Sequence, residues 1–392
     1  MSEADDHRPA EVPGPPPAPR AWWHPSRLLR GRVRPALATA VVGALLGVAG
    51  TAWQTGSGPF RADHKCWGAL DTSDLKRYFR EPDKVVAEET AVQFRDLTGY
   101  SGVCRLSTGR GAVTVNVHQL DVHYDGLGRW GSEFLAARLV PMGGGLLGMA
   151  SDTRAWLALP EGCVGRPSEI DGPTVVDIDA GWTVQDSEVD KKERAGLTHM
   201  VVKLVNRIID QEGCSGAVVD PSDRLPAADD IRAEERPDAV CGIKGLAIPA
   251  RPEDDTDGSG GKKGGKQRTD WSLVQVTPDG GPVRACDHLR VGTEGLRLMT
   301  VSDPRLAALF ERSSSEYGTS LKGARGSRGS LSARNGVFWA RCQTGDVAFV
   351  ARNTEWDSSS LLHTLFPRYI EAEAARAGCG TLKVTTGTSE GS

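Results

Sequence analysis

Two stretches of the chain carry the same stripe of apolar positions and end it in the same way. Counting back from Cys214 and from Cys379 sets Leu197 beside Leu362, Met200 beside Leu365 and Val201 beside Phe366, then Leu204 beside Tyr369, Val205 beside Ile370 and Gly213 beside Gly378. Spacings of 3, 4, 7 and 8 put these residues on one side of a helix, so the pattern predicts two amphipathic helices. Gly at the end supplies the left-handed turn that stops each one. Pro367 predicts that the second helix is kinked there or begins near it.

The likeness extends upstream, where the period changes to that of strands. "SGVCRLSTGRGAVTVNVHQLD" (Ser101–Asp121) parallels "VRACDHLRVGTEGLRLMTVSD" (Val283–Asp303): a Cys, a turn, an extended run rich in β-branched residues, then Asp. "TRAWLALPEGC" before Val164 parallels "NGVFWARC" before Gln343, and "CWGAL" at Cys66 parallels "CGIKGL" at Cys241. The four-Cys order recurs with spacings of 38, 59 and 51, then 45, 56 and 37. Matches in register at four places predict an internal duplication. Each copy reads as antiparallel strands and an apolar-faced helix, an α+β arrangement of helix against sheet. Copy 1 adds a short helix in "DTSDLKRYF", capped by Ser or Asp, with Leu75, Tyr78 and Phe79 on one side. The expected domains are residues 62–222 and 238–388, joined by a linker at 223–237 within the acidic, Pro-containing stretch Asp220–Asp238. Each is expected to hold its own core. "DDTDGSGGKKGGKQRTD" (Asp254–Asp270) and "SLKGARGSRGSLSARNG" (Ser320–Gly336) read as solvated loops.

One run breaks both periods. Residues 36–53, "ALATAVVGALLGVAGTAW", are apolar and uncharged over 18 positions, enough for a single N-terminal transmembrane helix. Arg27, Arg30, Arg32 and Arg34 precede it, and only Arg61 and Lys65 follow closely. The positive-inside rule then places residues 1–35 in the cytoplasm and everything after Trp53 outside, with the lipid bilayer as partner through 36–53. A cleaved signal peptide is the rival reading, disfavoured by the long segment ahead of the apolar run. Residues 1–20 are Pro-rich and polar and are expected to be disordered. "AWWHPSRLLRGRVR" reads equally as an interfacial segment on anionic lipid or as a solvated basic tether.

Charge and cysteine sharpen this picture. The net charge is −4 and residues 1–35 contribute six Arg against four acids, so the rest of the chain carries −4 − 2 = −6. A mildly acidic body lacks the basic footprint that nucleic acid requires. All eight Cys (Cys66, Cys104, Cys163, Cys214, Cys241, Cys286, Cys342 and Cys379) lie beyond the apolar run, and an even count on the outer side implies disulfides. Within each copy the third Cys ends a strand and the fourth ends the helix that should pack on that strand's sheet. Sequential pairing follows as the expectation: Cys66–Cys104, Cys163–Cys214, Cys241–Cys286 and Cys342–Cys379. There is no CxxC to suggest a zinc ribbon or redox motif.

Candidate chemistry is sparse. "TGYSGV" and "EGCSGAV" depart from the G-x-S-x-G elbow, and "GSGGKKGGK" lacks the Ser/Thr of a P-loop. "VHQLDVHYDG" holds His118, Asp121, His123 and Asp125; as a strand it would put the last three on one face and His118 on the other. The second copy has Asp303 and no His there, so the set reads as polar residues closing a strand. Trp53, Trp67, Trp130, Trp156, Trp182, Trp271, Trp339 and Trp356 lie in or beyond the apolar run; several sit inside apolar strands and read as core rather than as a carbohydrate or peptide platform. No catalytic, cofactor-binding or metal-binding residue is assigned.

The Ala/Gly/Arg/Val bias, the Pro-rich start, the single anchor and the paired cysteines resemble membrane-anchored envelope proteins of actinobacteria such as streptomycetes. "CWGALDTSDLKRYF…GVCRLSTGRGAVTVNV" is also similar in style to small actinobacterial lipoprotein-type domains over about residues 66–117. The lipobox Cys of such lipoproteins is absent, and the resemblance carries no catalytic residue. It implies an extracytoplasmic protein of the cell envelope. A binding or interaction role is the leading expectation, because two similar domains offer a composite groove or bivalent engagement. A structural component of a membrane complex and an enzyme with an unrecognised site are the alternatives.

Overall fold

The computed structural model describes residues 64–76, 78–95, 99–109, 111–164, 171–181, 187–227, 229–231, 238–247, 273–290, 293–315, 318–354 and 361–387. The anchor read at 36–53 and the Gly/Lys loop at 254–270 lie outside them. Among the described residues no helix is long and apolar enough to cross a membrane.

The chain is α+β, with two antiparallel sheets and few helices. Sheet 1 holds β1 (Val86–Glu89), β2 (Gln93–Arg95), β3 (Gly99–Thr108), β4 (Gly111–Asp121), β5 (Val140–Pro141), β6 (Gly148–Ala150), β7 (Arg154–Ala158) and β8 (Asp171–Asp179). Sheet 2 holds β9 (Asp229–Ile231), β10 (Leu273–Val276), β11 (Val283–Arg290), β12 (Thr293–Val301), β13 (Thr319–Lys322), β14 (Arg328–Leu331), β15 (Asn335–Cys342), β16 (Gly345–Asn353) and β17 (Thr385–Thr386). The helices are α1 (Thr72–Leu75), α2 (Arg129–Phe134), α3 (Glu161–Val164), α4 (Ser187–Gln211), α5 (Pro304–Ala307) and α6 (Leu361–Ala374).

The duplication is written into the strand order. Sheet 1 runs β1-β3-β4-β8-β7-β6-β5 and sheet 2 contains β10-β11-β12-β16-β15-β14-β13, the same path one repeat later. The two stretches paired in the sequence, Ser101–Asp121 and Val283–Asp303, are the hairpins β3–β4 and β11–β12. The two striped helices are α4 and α6. Pro367 lies inside α6 rather than at its start. The first helix after Cys66 is α1, where Asp71 accepts from Ser73 N and Asp74 N and Asp74 returns a bond to Asp71 N, a capping box.

Strand alternation sends side chains to two different cores. Val115, Val117, Leu157, Val176 and Ile178 pack with Leu197, Val201, Leu204 and Ile208 of α4. Leu298, Phe338, Val347 and Phe349 pack with Leu362, Phe366, Tyr369 and Ile370 of α6. The opposite faces meet each other: Trp156, Met149 and Val175 of sheet 1 share a third cluster with Ala285, Met299, Val301 and Val350 of sheet 2. The layers therefore run helix, sheet, sheet, helix, and the described residues form one compact unit.

Two stretches read as loop or linker are more ordered than their composition suggests. Ser320–Gly336 contains the hairpin β13–β14 and enters β15. Its glycines reflect close packing: a Cβ on Gly329 would stand 2.4 Å from Val337 O. The described start of the acidic connection, residues 220–227, is docked. His199 Nδ1 of α4 lies 2.5 Å from Asp220 Oδ2 and its other ring nitrogen 3.5 Å from Asp74 Oδ1, while Lys203 Nζ is 2.7 Å from Asp74 Oδ2. Arg194 Nη1 donates to Pro226 O at 2.9 Å, and the connection then contributes β9 to the edge of sheet 2.

Candidate functional site

The cysteines pair as expected: Cys66–Cys104, Cys163–Cys214, Cys241–Cys286 and Cys342–Cys379. In each repeat one bond ties the entry turn to a hairpin strand, β3 or β11. The other ties the residues at or beyond the end of β7 or β15 to the end of the long helix. Both helices close alike. Cys214 N donates to Ile209 O and Gly213 N to Asp210 O; Cys379 N donates to Ala374 O and Gly378 N to Ala375 O. That is the Schellman pattern, and it needs a left-handed residue at the Gly, where φ is +67° at Gly213 and +77° at Gly378.

The surroundings of the two glycines differ, which makes a prediction. A Cβ on Gly213 would meet nothing within 4 Å, whereas one on Gly378 would stand 2.6 Å from Thr344 Cγ2. Gly213→Ala is expected to destabilise by about 1–2 kcal/mol through backbone strain alone. Gly378→Ala adds overpacking and is expected to cost about 2–4 kcal/mol. Urea unfolding of the two variants checks the order.

Of the polar candidates, His118 lies on the face of sheet 1 turned away from α4. The shared layer covers that face at β5 to β8. Beyond it, toward β1, the face is open: Val86, Val103, Arg105 and Glu88 are solvent-exposed or nearly so. At the boundary lies a connected polar group. His118 Nδ1 of β4 is 3.2 Å from Asp177 Oδ2 of β8, and Asn116 Nδ2 donates to Asp177 Oδ1 at 3.0 Å. Arg154 of β7 pairs with Asp179 at 2.9 Å and with Glu133 of α2 at 2.6 Å, and lies over the Phe134 ring. Burial pushes the Asp177 carboxyl above the ordinary aspartate value, against the opposing pull of His118 and the Asn116 hydrogen bond.

The set read from "VHQLDVHYDG" is divided. Strand β4 ends at Asp121, and His123 and Asp125 fall in the following turn. Asp125 Oδ2 accepts from Asp121 N, and Asp121 Oδ1 accepts from His123 N. His123 Nδ1 instead faces Arg312 Nη1 of the second repeat at 2.6 Å. His118, the one expected to point away, is the residue with a buried carboxylate partner. Sequence reading missed Asp177, Arg154 and Glu133, since nothing local links them to His118.

Ser101, in the discarded "TGYSGV", stands directly opposite His118 in the β3–β4 register. Asp177 is opposite Asn116 in the β4–β8 register, so Ser101, His118 and Asp177 occupy one face of three adjacent strands. Among the described residues the tryptophans are core: Trp156 donates Nε1–H to Phe134 O at 2.7 Å and meets the Trp130 ring edge-on. Trp67 and Trp339 are also buried. No family model, no curated protein and no solved structure matches this chain.

Proposed function

We propose that the chain is an extracytoplasmic binding protein of the bacterial cell envelope, anchored through residues 36–53, with the open face of sheet 1 as its contact surface. The observation that carries this reading is the exposure of that face. Val86 and Val103 are 59% and 42% exposed, Val103 on a strand whose other face buries Cys104 and Leu106. The register pair Glu88 and Arg105 lies between them, and His118 with its buried carboxylate lies at the inner rim. Exposed apolar side chains on either side of a charge pair suit a protein or peptide partner. Four disulfides agree with a location outside the cytoplasm.

Chemical crosslinking in intact cells tests it. The wild-type chain is expected to give a discrete adduct that Val86→Asp/Val103→Asp abolishes. Val219→Asp, at another exposed apolar residue, is expected to leave the adduct unchanged. Equal adducts in both variants would remove the open face from the account.

Ser101 opposite His118, with Asp177 diagonal to it on the same face, favours a second reading, a hydrolytic enzyme. Asp177 at Nδ1 leaves the other imidazole nitrogen as the proton acceptor for a nucleophile. A fluorophosphonate that labels Ser101 in the wild type and not in His118→Ala selects this reading; an unlabelled Ser101 leaves the binding role.

A further inference from the structure

We propose that Cys241, Cys286 and His288 form a metal site for a thiophilic ion such as zinc or copper(I), latent while the two sulfurs are bonded to each other and released by reduction. The two sulfurs and a ring nitrogen of His288 all lie within 4.8 Å of one another, and all three residues are buried. Cys286 and His288 are alternate residues of β11 and so share a face, while Cys241 comes from the turn that opens the second repeat.

The duplication supplies the control that singles out His288. Cys286 occupies in β11 the place that Cys104 occupies in β3, and each is bonded to the Cys of its own entry turn. Two residues on, repeat 1 has Leu106, fully buried. Repeat 2 has His288, opposite Val274 and Leu296 in its two ladders, both of which belong to the apolar core under α6. The architecture is satisfied by Leu at this place, and burying an imidazole there carries a desolvation cost that Leu does not. What His adds is a borderline-soft nitrogen donor beside two sulfurs, the Cys2His set of zinc and copper(I) sites.

A disulfide sulfur is a poor ligand, so the site exists only after a two-electron step. An external dithiol, closing to its own disulfide, or a phosphine, taking oxygen from a water whose two hydrogens go to the sulfurs, reduces the Cys241–Cys286 bond to two thiols. The zinc or copper(I) ion then takes the two sulfurs as thiolates, their two protons passing to solvent, together with the neutral imidazole. The entry turn gives room for the change. Cys241 sits at φ +59° beside Gly242, which is exposed and whose added Cβ would find only Arg284 Nη2, at 3.9 Å.

The test uses the full-length chain, reduced with a phosphine under anaerobic conditions and titrated with cobalt(II) as the probe. Wild type is expected to bind one equivalent tightly, with thiolate-to-cobalt charge transfer and the visible bands of a tetrahedral ion. His288→Leu, which installs the residue of repeat 1, is expected to weaken that binding by more than about tenfold. His288→Gln is expected to do the same while keeping a polar side chain, should the Leu variant misfold. Cys342→Ser/Cys379→Ser is expected to bind as wild type does. Tight binding that survives both His288 variants, or that disappears with Cys342 and Cys379, overturns the proposal. So does a Cys241–Cys286 bond that resists reduction in the folded chain. These outcomes are independent of any partner at the open face of sheet 1.

Discussion

A fragment of residues 62–222 expressed alone is expected to miss the cooperative native state that the same residues reach in the whole chain. The reason is the layer between the sheets. Phe134, Leu135, Leu139, Met149, Trp156 and Val175 are buried in a cluster whose other half belongs to repeat 2. Burying a large apolar side chain contributes about 1.5–3 kcal/mol. Even if repeat 1 covers half of this surface by itself, the loss is about 5 kcal/mol or more, against a domain stability of about 5–15 kcal/mol. The two disulfides remain in the fragment and restrain its unfolded state. The expected product is therefore a compact chain with secondary structure, dye-accessible apolar surface and no sharp urea transition. A fragment that unfolds cooperatively at the full-length midpoint would mean that each sheet-plus-helix pair suffices. Adding residues 238–388 in trans is expected to restore protection, since the missing half of the layer is then supplied.

How much of this was visible in sequence depended on whether the signal was local. The Gly–Cys ends are local. A helix stripe, a left-handed Gly and a following Cys lie within one window, and the Schellman bonds at Gly213 and Gly378 repeat what that window says. The disulfide pairing was nearly as legible, because the same four-Cys order occurs twice. The shared layer was harder, although its trace is present. "AWLAL" and "GVFWA" are unbroken apolar runs, the mark of strands buried on both faces, where a sheet covered on one face alternates. Trp156 faces the second sheet while Ala155 and Leu157 face α4. The hairpin β13–β14 was hidden by glycine. Gly329 is there because Val337 and Phe338 lie too close for a side chain, yet in sequence it reads as loop. His118 and Asp177 were invisible as a pair, since a ladder between β4 and β8 joins residues from separate hairpins and no spacing rule reaches across it.

The largest single-residue effect is expected at Asp287. This aspartate and Arg297 are opposite each other in the β11–β12 ladder, and both side chains are 4% exposed. Arg297 Nη2 donates to Asp287 Oδ2 at 2.8 Å. The pair also reaches across to repeat 1: Asp287 Oδ2 accepts from Ala137 N at 3.0 Å, and Arg297 Nη1 donates to Ser132 O. It thus satisfies backbone groups of α2 and of the segment that follows it, inside the layer that joins the sheets. Asp287→Ala removes the carboxylate, keeps the Arg297 cation buried and leaves the Ala137 N–H without its acceptor. Breaking one side of a buried pair costs about 3–5 kcal/mol. Asp287→Leu/Arg297→Met removes both charges together, and its loss is expected to be smaller than that of Asp287→Ala, because no isolated charge remains. Urea unfolding of the full-length chain reads both, with the midpoint reporting stability and an unchanged slope confirming that the unit still unfolds as one. If Asp287→Ala falls within about 1 kcal/mol of wild type, the pair behaves as a solvated one and the two sheets are not sealed against each other at this point.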